Sequence, residues 1–308
     1  VTGPRVLILG GAGQVGRELQ RTFSGCGEIT VINREDIDLA VPDQVRARVR
    51  GFQPEIILNA AAYTAVDRAE SDQELAMAIN AEAPRVLAEE ALRSNAILVH
   101  YSTDYVFDGS KPEPWTEDDL PHPLNVYGAS KLAGEEAIQQ VGGRYLIFRT
   151  SWVYGPHGKN FLLTMLRLGR ERERLSVIDD QHGTPTTSIA LADATRSVVD
   201  QVLAGRCGAV DAWAGVYHMT CAGSTTWCGF AKAIFARAEN LLQGSAPAVV
   251  PIASSEYPTP AARPRNSILS NARLRERFGV ELPPWEVALS DVLEHLTVEP
   301  ETKVPKSH

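Results

Sequence analysis

Four cysteines and seven histidines among 308 residues are too few and too scattered to build a protein around metal or sulfur. Cys26, Cys207, Cys221 and Cys228 follow no zinc-knuckle spacing and no HExxH occurs. A chain of this length gains little from disulfide staples, so reduced thiols and no bound metal are expected. No run of about 18 uninterrupted apolar residues exists, which removes the signal of a membrane-spanning helix. Residues 1–10 run into a strand pattern in place of a signal peptide, and the expectation is a cytoplasmic protein. Basic charge is also short. Thirty Lys and Arg face 38 Asp and Glu, a net charge of −8, which speaks against a nucleic-acid binder. Anionic ligands must then be met by local devices. What remains, 44% hydrophobic and 22% charged, is ordinary globular composition with enough apolar material for a substantial core.

Hydrophobic periodicity alternates from the start between short apolar runs and helical stretches. Residues 5–10 (RVLILG), 28–33 (EITVIN), 55–60 (EIILNA), 96–101 (AILVHY) and 145–149 read as buried parallel strands. Helices are read at 14–23, 41–50, 70–94 and 126–141, the third restarting near Asn80 and Pro84 because proline is tolerated only in a first turn. This alternation predicts an α/β protein of Rossmann type, a doubly wound parallel sheet with right-handed crossovers. Beyond residue 150 the pattern is irregular. Helices are read at 161–173, 189–203 and 226–242, with short strands at 176–179, 216–220 and 249–252. The division expected is a dinucleotide-binding domain over 1–155, to which about 185–215 returns, a smaller C-terminal α/β substrate lobe over 156–297, and a loose tail over 298–308.

Gly10, Gly13 and Gly16 form GGAGQVG between the first strand and the first helix. Glycine there permits a tight turn and lets backbone N–H groups approach a pyrophosphate at a helix N-terminus. Three glycines after a strand also arise in turns that bind nothing, but here strand, turn and helix agree. Where a carboxylate would bond an adenosine ribose, the second strand ends in Asn33 and Arg34. Arginine can pair with a 2′-phosphate, so NADPH is favoured and NADH is the alternative, Glu35 and Asp36 lying beside it.

Tyr127 and Lys131, in VYGASK, are four apart and project from one helix face. A tyrosine used as acid or base near neutrality benefits from an ammonium that stabilises its phenolate. Ser102, Thr103 and Asp104 end the fourth strand, where ligand crevices of parallel sheets open, and Thr103 is the third member of the candidate set. His100, within an apolar run, reads as a satisfied core histidine.

Taken together, GGAGQVG, NAAAYTAVDRAE (59–70), YSTDYVFDG (101–109), PLNVYGASKLAGE (123–135), RTSWVYGPHGKNF (149–161), DQHGTPT (180–186) and YPTPAARPRNSIL (257–269) resemble the dTDP-4-dehydrorhamnose reductase family of extended short-chain dehydrogenases/reductases. The resemblance runs from about residue 5 to 297. It implies reduction of a sugar nucleotide's C4 ketone, with Tyr127 as proton donor, Lys131 as its charged partner and cofactor contact, and Thr103 as the hydroxyl that tunes it. It further implies cofactor contacts from Gly10, Gly11, Ala12, Gly13, Gln14, Val15 and Gly16, from Asn33, Asp38 and Leu39 on the adenosine side, and from Ala62, Tyr63 and Thr64. Thr103, Asp104 and Trp152 match sugar-contacting positions. Arg263, in the ARP motif, is assigned to the diphosphate because guanidinium suits such groups.

Some relatives bind Mg²⁺ at a dimer contact through three acidic side chains. Glu18 and Asp193 match two of them, but the third position is Ile189, which cannot ligate a hard cation, so magnesium is not expected and a homodimer is left open. Two other readings share the motifs. One is a cofactor-binding regulatory subunit of the methionine adenosyltransferase type; the other is a sugar-nucleotide epimerase or dehydratase.

Overall fold

The computed structural model describes residues 3–242 and 244–298, with side chains to residue 296. The first half alternates β1 (Arg5–Leu9), α1 (Gln14–Phe23), β2 (Glu28–Ile32), α2 (Pro42–Phe52), β3 (Ile56–Asn59), α3 (Val66–Ala69), α4 (Gln73–Met77), α5 (Ala83–Ser94), β4 (Ile97–Thr103), α6 (Val126–Val141) and β5 (Tyr145–Thr150). The second half adds β6 (Val153–Tyr154), α7 (Phe161–Glu171), β7 (Arg174–Ile178), β8 (His182–Gly183), β9 (Thr186–Thr187), α8 (Ser188–Leu203), β10 (Gly215–His218), β11 (Thr225–Thr226), α9 (Trp227–Arg237), β12 (Ala248–Ile252), α10 (Ala272–Phe278) and α11 (Trp285–Val298).

Six parallel strands form the main sheet in the order β10-β5-β4-β3-β1-β2. Chain order reverses between β1 and β3, and in open α/β sheets the ligand crevice lies at that switch point, beyond the carboxyl ends of the strands. Pleating sends alternate residues of β1 to opposite faces. Val6 and Ile8 join Leu19 and Phe23 of α1 and Leu191 and Val198 of α8, while Leu7 and Leu9 join Val45 and Val49 of α2 and Val86 and Leu87 of α5. The sheet is thus an apolar layer covered on both sides, the doubly wound α/β class read from the sequence.

The irregular second half divides in an instructive way. Residues 216–220, read as a strand beside the long helix, belong to the main sheet instead: β10 pairs with β5 as the sixth strand. The helix read as 226–242 stops at Arg237, followed by a single 3-10 turn over Glu239–Leu241. The long helix read over 70–94 is interrupted, since α4 runs into a single π turn, Ala78–Glu82, before α5 begins with Pro84 in its first turn. Two closing helices, α10 and α11, have no counterpart among the elements read from the sequence. The stop of α10 does carry a legible signal, Arg275 and Arg277 in the last turn and Gly279 at φ +63°. The tail expected over 298–308 lies outside the described residues apart from Val298, which closes α11. Among the described residues no helix is long and apolar enough to cross a membrane.

Candidate active site

The glycine turn packs as tightly as its composition suggests. Gly10 has φ +77°, and a Cβ on Gly16 would stand 2.1 Å from Gly10 O, so the turn closes only on bare backbone at both places. Gly13 is the N-cap of α1 and supplies no side chain, which leaves the first N–H groups of the helix for an anion. Gln14, in the first turn, accepts from Asn160 Nδ2 at 2.8 Å and so ties the turn to the N-cap of α7. Val15 packs against the core.

Beside the turn lies a concavity of about 320 Å³ lined by Gly11, Ala12, Arg17, Gln20 and Asn33. Asn33 Oδ1 accepts from Ala12 N at 2.7 Å, linking the end of β2 to the turn. Arg34 is exposed one residue on and does not line this concavity; the arginine that does is Arg17, which sequence reasoning missed. Its signal was its position one turn beyond Gly13, on the helix end that favours anions. Asp38 turns its carboxylate back onto Ala40 N at 3.0 Å, and Leu39 packs against the core.

The 61–64 loop follows β3. Tyr63 N donates to Asn80 Oδ1 at 2.8 Å, Asn80 Nδ2 donates back to Tyr63 O at 3.0 Å, and a further 3.0 Å bond runs to Ser130 Oγ on α6. Asn80 sits in the π turn, so the irregular turn places one buried carboxamide between the loop and the helix that bears Tyr127. Tyr63 also donates its hydroxyl to Asp72 at 2.8 Å, while Ala62 is half-buried and Thr64 exposed.

β4 extends two residues beyond the strand read from the sequence, and Thr103 is its last residue. The Thr103 hydroxyl donates to Asp104 Oδ1 at 3.0 Å and accepts from Tyr105 N at 3.1 Å. Burial pushes the Tyr127 phenol up to about 12, with Thr103 close enough to oppose that rise. Burial likewise raises the Asp104 carboxyl to about 6, opposed by the hydroxyls of Ser267, Thr103 and Ser151. α6 starts at Asn125, whose side chain caps Gly128 N at 2.8 Å and donates to Ala262 O at 2.7 Å, fastening the helix to the 257–264 loop. Lys131 is 2% exposed, and burial pulls its ammonium down to about 8, opposed by Glu135.

Trp152 adopts φ +46°, unusual for a large side chain, and stacks on Trp227 with ring centroids 3.6 Å apart. A Cβ on Gly183 would stand 2.4 Å from Trp152 Cε2, so that glycine gives the indole its seat. Trp227 opens α9 and was not singled out from sequence, since nothing local connects residues 75 apart in the chain. Arg263 reaches α3, its Nη2 2.9 Å from Asp67 Oδ2. Glu18 and Asp193 are held together by Arg21, whose Nε and Nη2 lie 2.8 Å from each, with Ile189 on the same helix as Asp193. No group of three or more His, Cys, Asp or Glu among the described residues is arranged to hold a metal ion.

Comparison with known proteins gives this geometry a family. The model described as RmlD substrate binding domain matches residues 4–298. A dTDP-4-dehydrorhamnose reductase of Burkholderia thailandensis is 47% identical over 289 residues, covering 92% of this chain and 96% of that one. The enzyme of that name from Escherichia coli K12 is 43% identical, covering 94% and 97%. A crystal structure of a Bacillus anthracis dTDP-4-dehydrorhamnose reductase in complex with NADP superposes with a TM-score of 0.87 at 37% identity, covering 96% of this chain and all of that one. With a match that runs over residues 4–298, the chain belongs to the dTDP-4-dehydrorhamnose reductase family.

Proposed function

We propose that this protein reduces the C4 ketone of dTDP-4-dehydro-L-rhamnose to dTDP-L-rhamnose. The observation that carries the reading is that Thr103 ends β4 while Lys131 Nζ lies 2.7 Å from Tyr101 O of the same strand, with Tyr127 one turn earlier on α6, in a chain whose relatives bear that enzyme's name. NADPH, when bound, supplies the hydride.

The residues present suit a dinucleotide. The uncapped start of α1 and the bare Gly10–Gly16 contact receive a pyrophosphate, and the concavity at Asn33 and Arg17 has no carboxylate in its lining to repel a 2′-phosphate. NADPH is therefore preferred, with NADH the weaker donor. Gly11, Ala12, Gln14, Val15, Arg34, Asp38, Leu39, Ala62, Tyr63 and Thr64 complete the cofactor's surroundings.

Asp104 accepts the Thr103 hydroxyl proton, and burial keeps the Tyr127 phenol protonated in the resting site. Tyr127 gives that proton to the C4 oxygen as the carbon is reduced, and Lys131 stabilises the phenolate left behind. Trp152 offers an aromatic surface to the deoxysugar, and Arg263 meets the diphosphate. In this reading residues 1–155, with about 185–215, hold the cofactor, and 156–297 mainly hold the sugar nucleotide.

Supplying the 4-keto-6-deoxy sugar nucleotide with NADPH tests the reading: one NADPH is oxidised per sugar reduced. An epimerase or dehydratase would convert the sugar without net oxidation, and a regulatory subunit would bind both ligands without turnover. Either result replaces the proposal.

A further inference from the structure

Asn59 and His100 stand opposite each other in the β3–β4 register, and His100 in turn faces Lys131. Asn59 Nδ2 is 2.9 Å from His100 Nδ1; Lys131 Nζ is 3.0 Å from His100 Nε2 and 2.7 Å from Tyr101 O. At the other end, Asn59 Oδ1 accepts from Ala61 N at 3.3 Å, where the 61–64 loop begins. All three side chains are buried. The satisfied core histidine read from the sequence is therefore a link between the cofactor loop and the catalytic lysine.

A neutral imidazole carries one N–H and one bare nitrogen. With the Asn59 amide donating to Nδ1, the ring proton must sit on Nε2 and point at the Lys131 nitrogen. A neutral amine accepts that proton and still donates to Tyr101 O; an ammonium cannot accept it. A charged Lys131 requires Nδ1–H, so that Nε2 accepts, and requires Asn59 to turn its oxygen to the ring and its NH₂ towards Ala61 N. The two arrangements differ by an amide flip and the placement of hydrogens, and in the charged one the Asn59 NH₂ opposes Ala61 N–H, so that bond is lost and the start of the 61–64 loop must give way. Passing from the charged to the neutral arrangement releases one proton to water, and the imidazole keeps a single N–H throughout.

We propose that Asn59 and His100 are positioning residues that form a tautomer relay, coupling the protonation of Lys131 to the backbone of the 61–64 loop. Its consequence for turnover rests on the reading of Lys131 as the partner of Tyr127. Other groups facing Lys131 are less free to change. Glu135 on α6 is closed by Arg149 of β5 through contacts of 3.0, 3.1 and 2.6 Å, Tyr127 titrates high, and Asp104, raised to about 6, ionises below the range in which Lys131 changes form. Burial and the Lys131 charge hold His100 neutral, well below the ordinary histidine range, while Lys131 is drawn to where both of its forms are reachable.

Nitrogen-15 NMR of the histidine rings, in cofactor-free protein between about pH 6 and about pH 10, reads the relay directly. The His100 signals are those lost in His100→Gln. The expected result is a neutral ring whose proton moves from Nδ1 to Nε2 as pH rises. A single tautomer throughout, or an imidazolium at the acidic end, overturns the proposal. The pH profile of turnover is the second arm. Asn59→Asp, which only accepts, favours the charged arrangement and moves the alkaline limb up by about one pH unit, roughly tenfold in rate on that limb. His100→Leu removes the acceptor and moves the limb down, and His100→Gln, whose Oε1 accepts from the ammonium, restores it. Should His100→Leu fail to fold, the other two variants carry the test, and an alkaline limb unmoved in Asn59→Asp rejects the relay. A tautomer change in a protein that reduces no ketone would keep the relay and remove the proposed function.

Discussion

Arg263 Nη2 and Asp67 Oδ2 lie 2.9 Å apart and tie the loop before α10 to the helix that follows the 61–64 loop. Asp67 also accepts from Ala261 N at 3.2 Å, and the guanidinium holds its carboxyl below the ordinary aspartate range. The cation assigned to the diphosphate thus already has a carboxylate partner that the sugar nucleotide must compete with.

Arg263→Met should raise KM for the sugar nucleotide by about tenfold to a hundredfold, the range set by losing a charge-assisted hydrogen bond, and leave KM for NADPH unchanged. Asp67→Asn should act in the opposite direction, since it frees the guanidinium. Steady-state kinetics on both variants decides the point; equal changes in both Michaelis constants would show a loop that has merely collapsed.

Tyr127→Phe keeps the ring and its edge contact with Tyr105, whose centroid is 5.8 Å away, but removes the proton. A fall in kcat of about 10²–10⁴-fold is expected, with the dissociation constants of both ligands nearly unchanged by calorimetry. Turnover close to that of the native enzyme would take the proton donor's role away from Tyr127.

Asp104 gives a pH-dependent stability with a definite sign. Its folded pKa, raised to about 6 by burial, exceeds the unfolded value of 3.8. Between those two values the folded state holds a proton that the unfolded state has released, so stability falls as pH rises through the window, by about 3 kcal/mol in all. Asp104→Asn removes the ionisation while keeping an acceptor for Thr103. Denaturant melts should show the variant gaining on the native protein from pH 4 to pH 6 and holding that gain above it; a difference constant with pH would place the Asp104 carboxyl outside the linkage.

Gly183→Ala puts a methyl group where Trp152 Cε2 would be 2.4 Å away. The indole must leave its stack on Trp227. Exciton-coupled circular dichroism of the paired indoles should weaken, and KM for the sugar nucleotide should rise with little change for NADPH. An undisturbed couplet would mean that the backbone, and not the ring, had given way.

The fold of the first half was legible because its signals are local. A strand, a glycine turn and a helix are contiguous from residue 5 to 23, and Tyr127 and Lys131 are one helical turn apart. Asn80, Asp67, Trp227 and the Asn59–His100 pair were not singled out, because each acquires its partner from strand register or from lobe packing across 17 to 196 residues of sequence. Arg17 was missed for a different reason. Attention to the end of β2 favoured Arg34, whereas the helix carries Arg17 to the concavity from the other side. The strand over 216–220 was recognised as a strand, but its own residues could not say which sheet it would join.

That last strand sets how the molecule can be taken apart. β10 completes the sheet beside β5, and α8 packs on α1, so the second half of the chain supplies structure to the first. A fragment ending near residue 155 would present β5 as a bare edge and leave the apolar side of α1 wet, a combination that promotes self-association over folding. The sheet of the first half therefore cannot be isolated by cutting the gene near residue 155. The two halves of the chain share one apolar core, so substitutions in the second half bear on the stability of the sheet in the first.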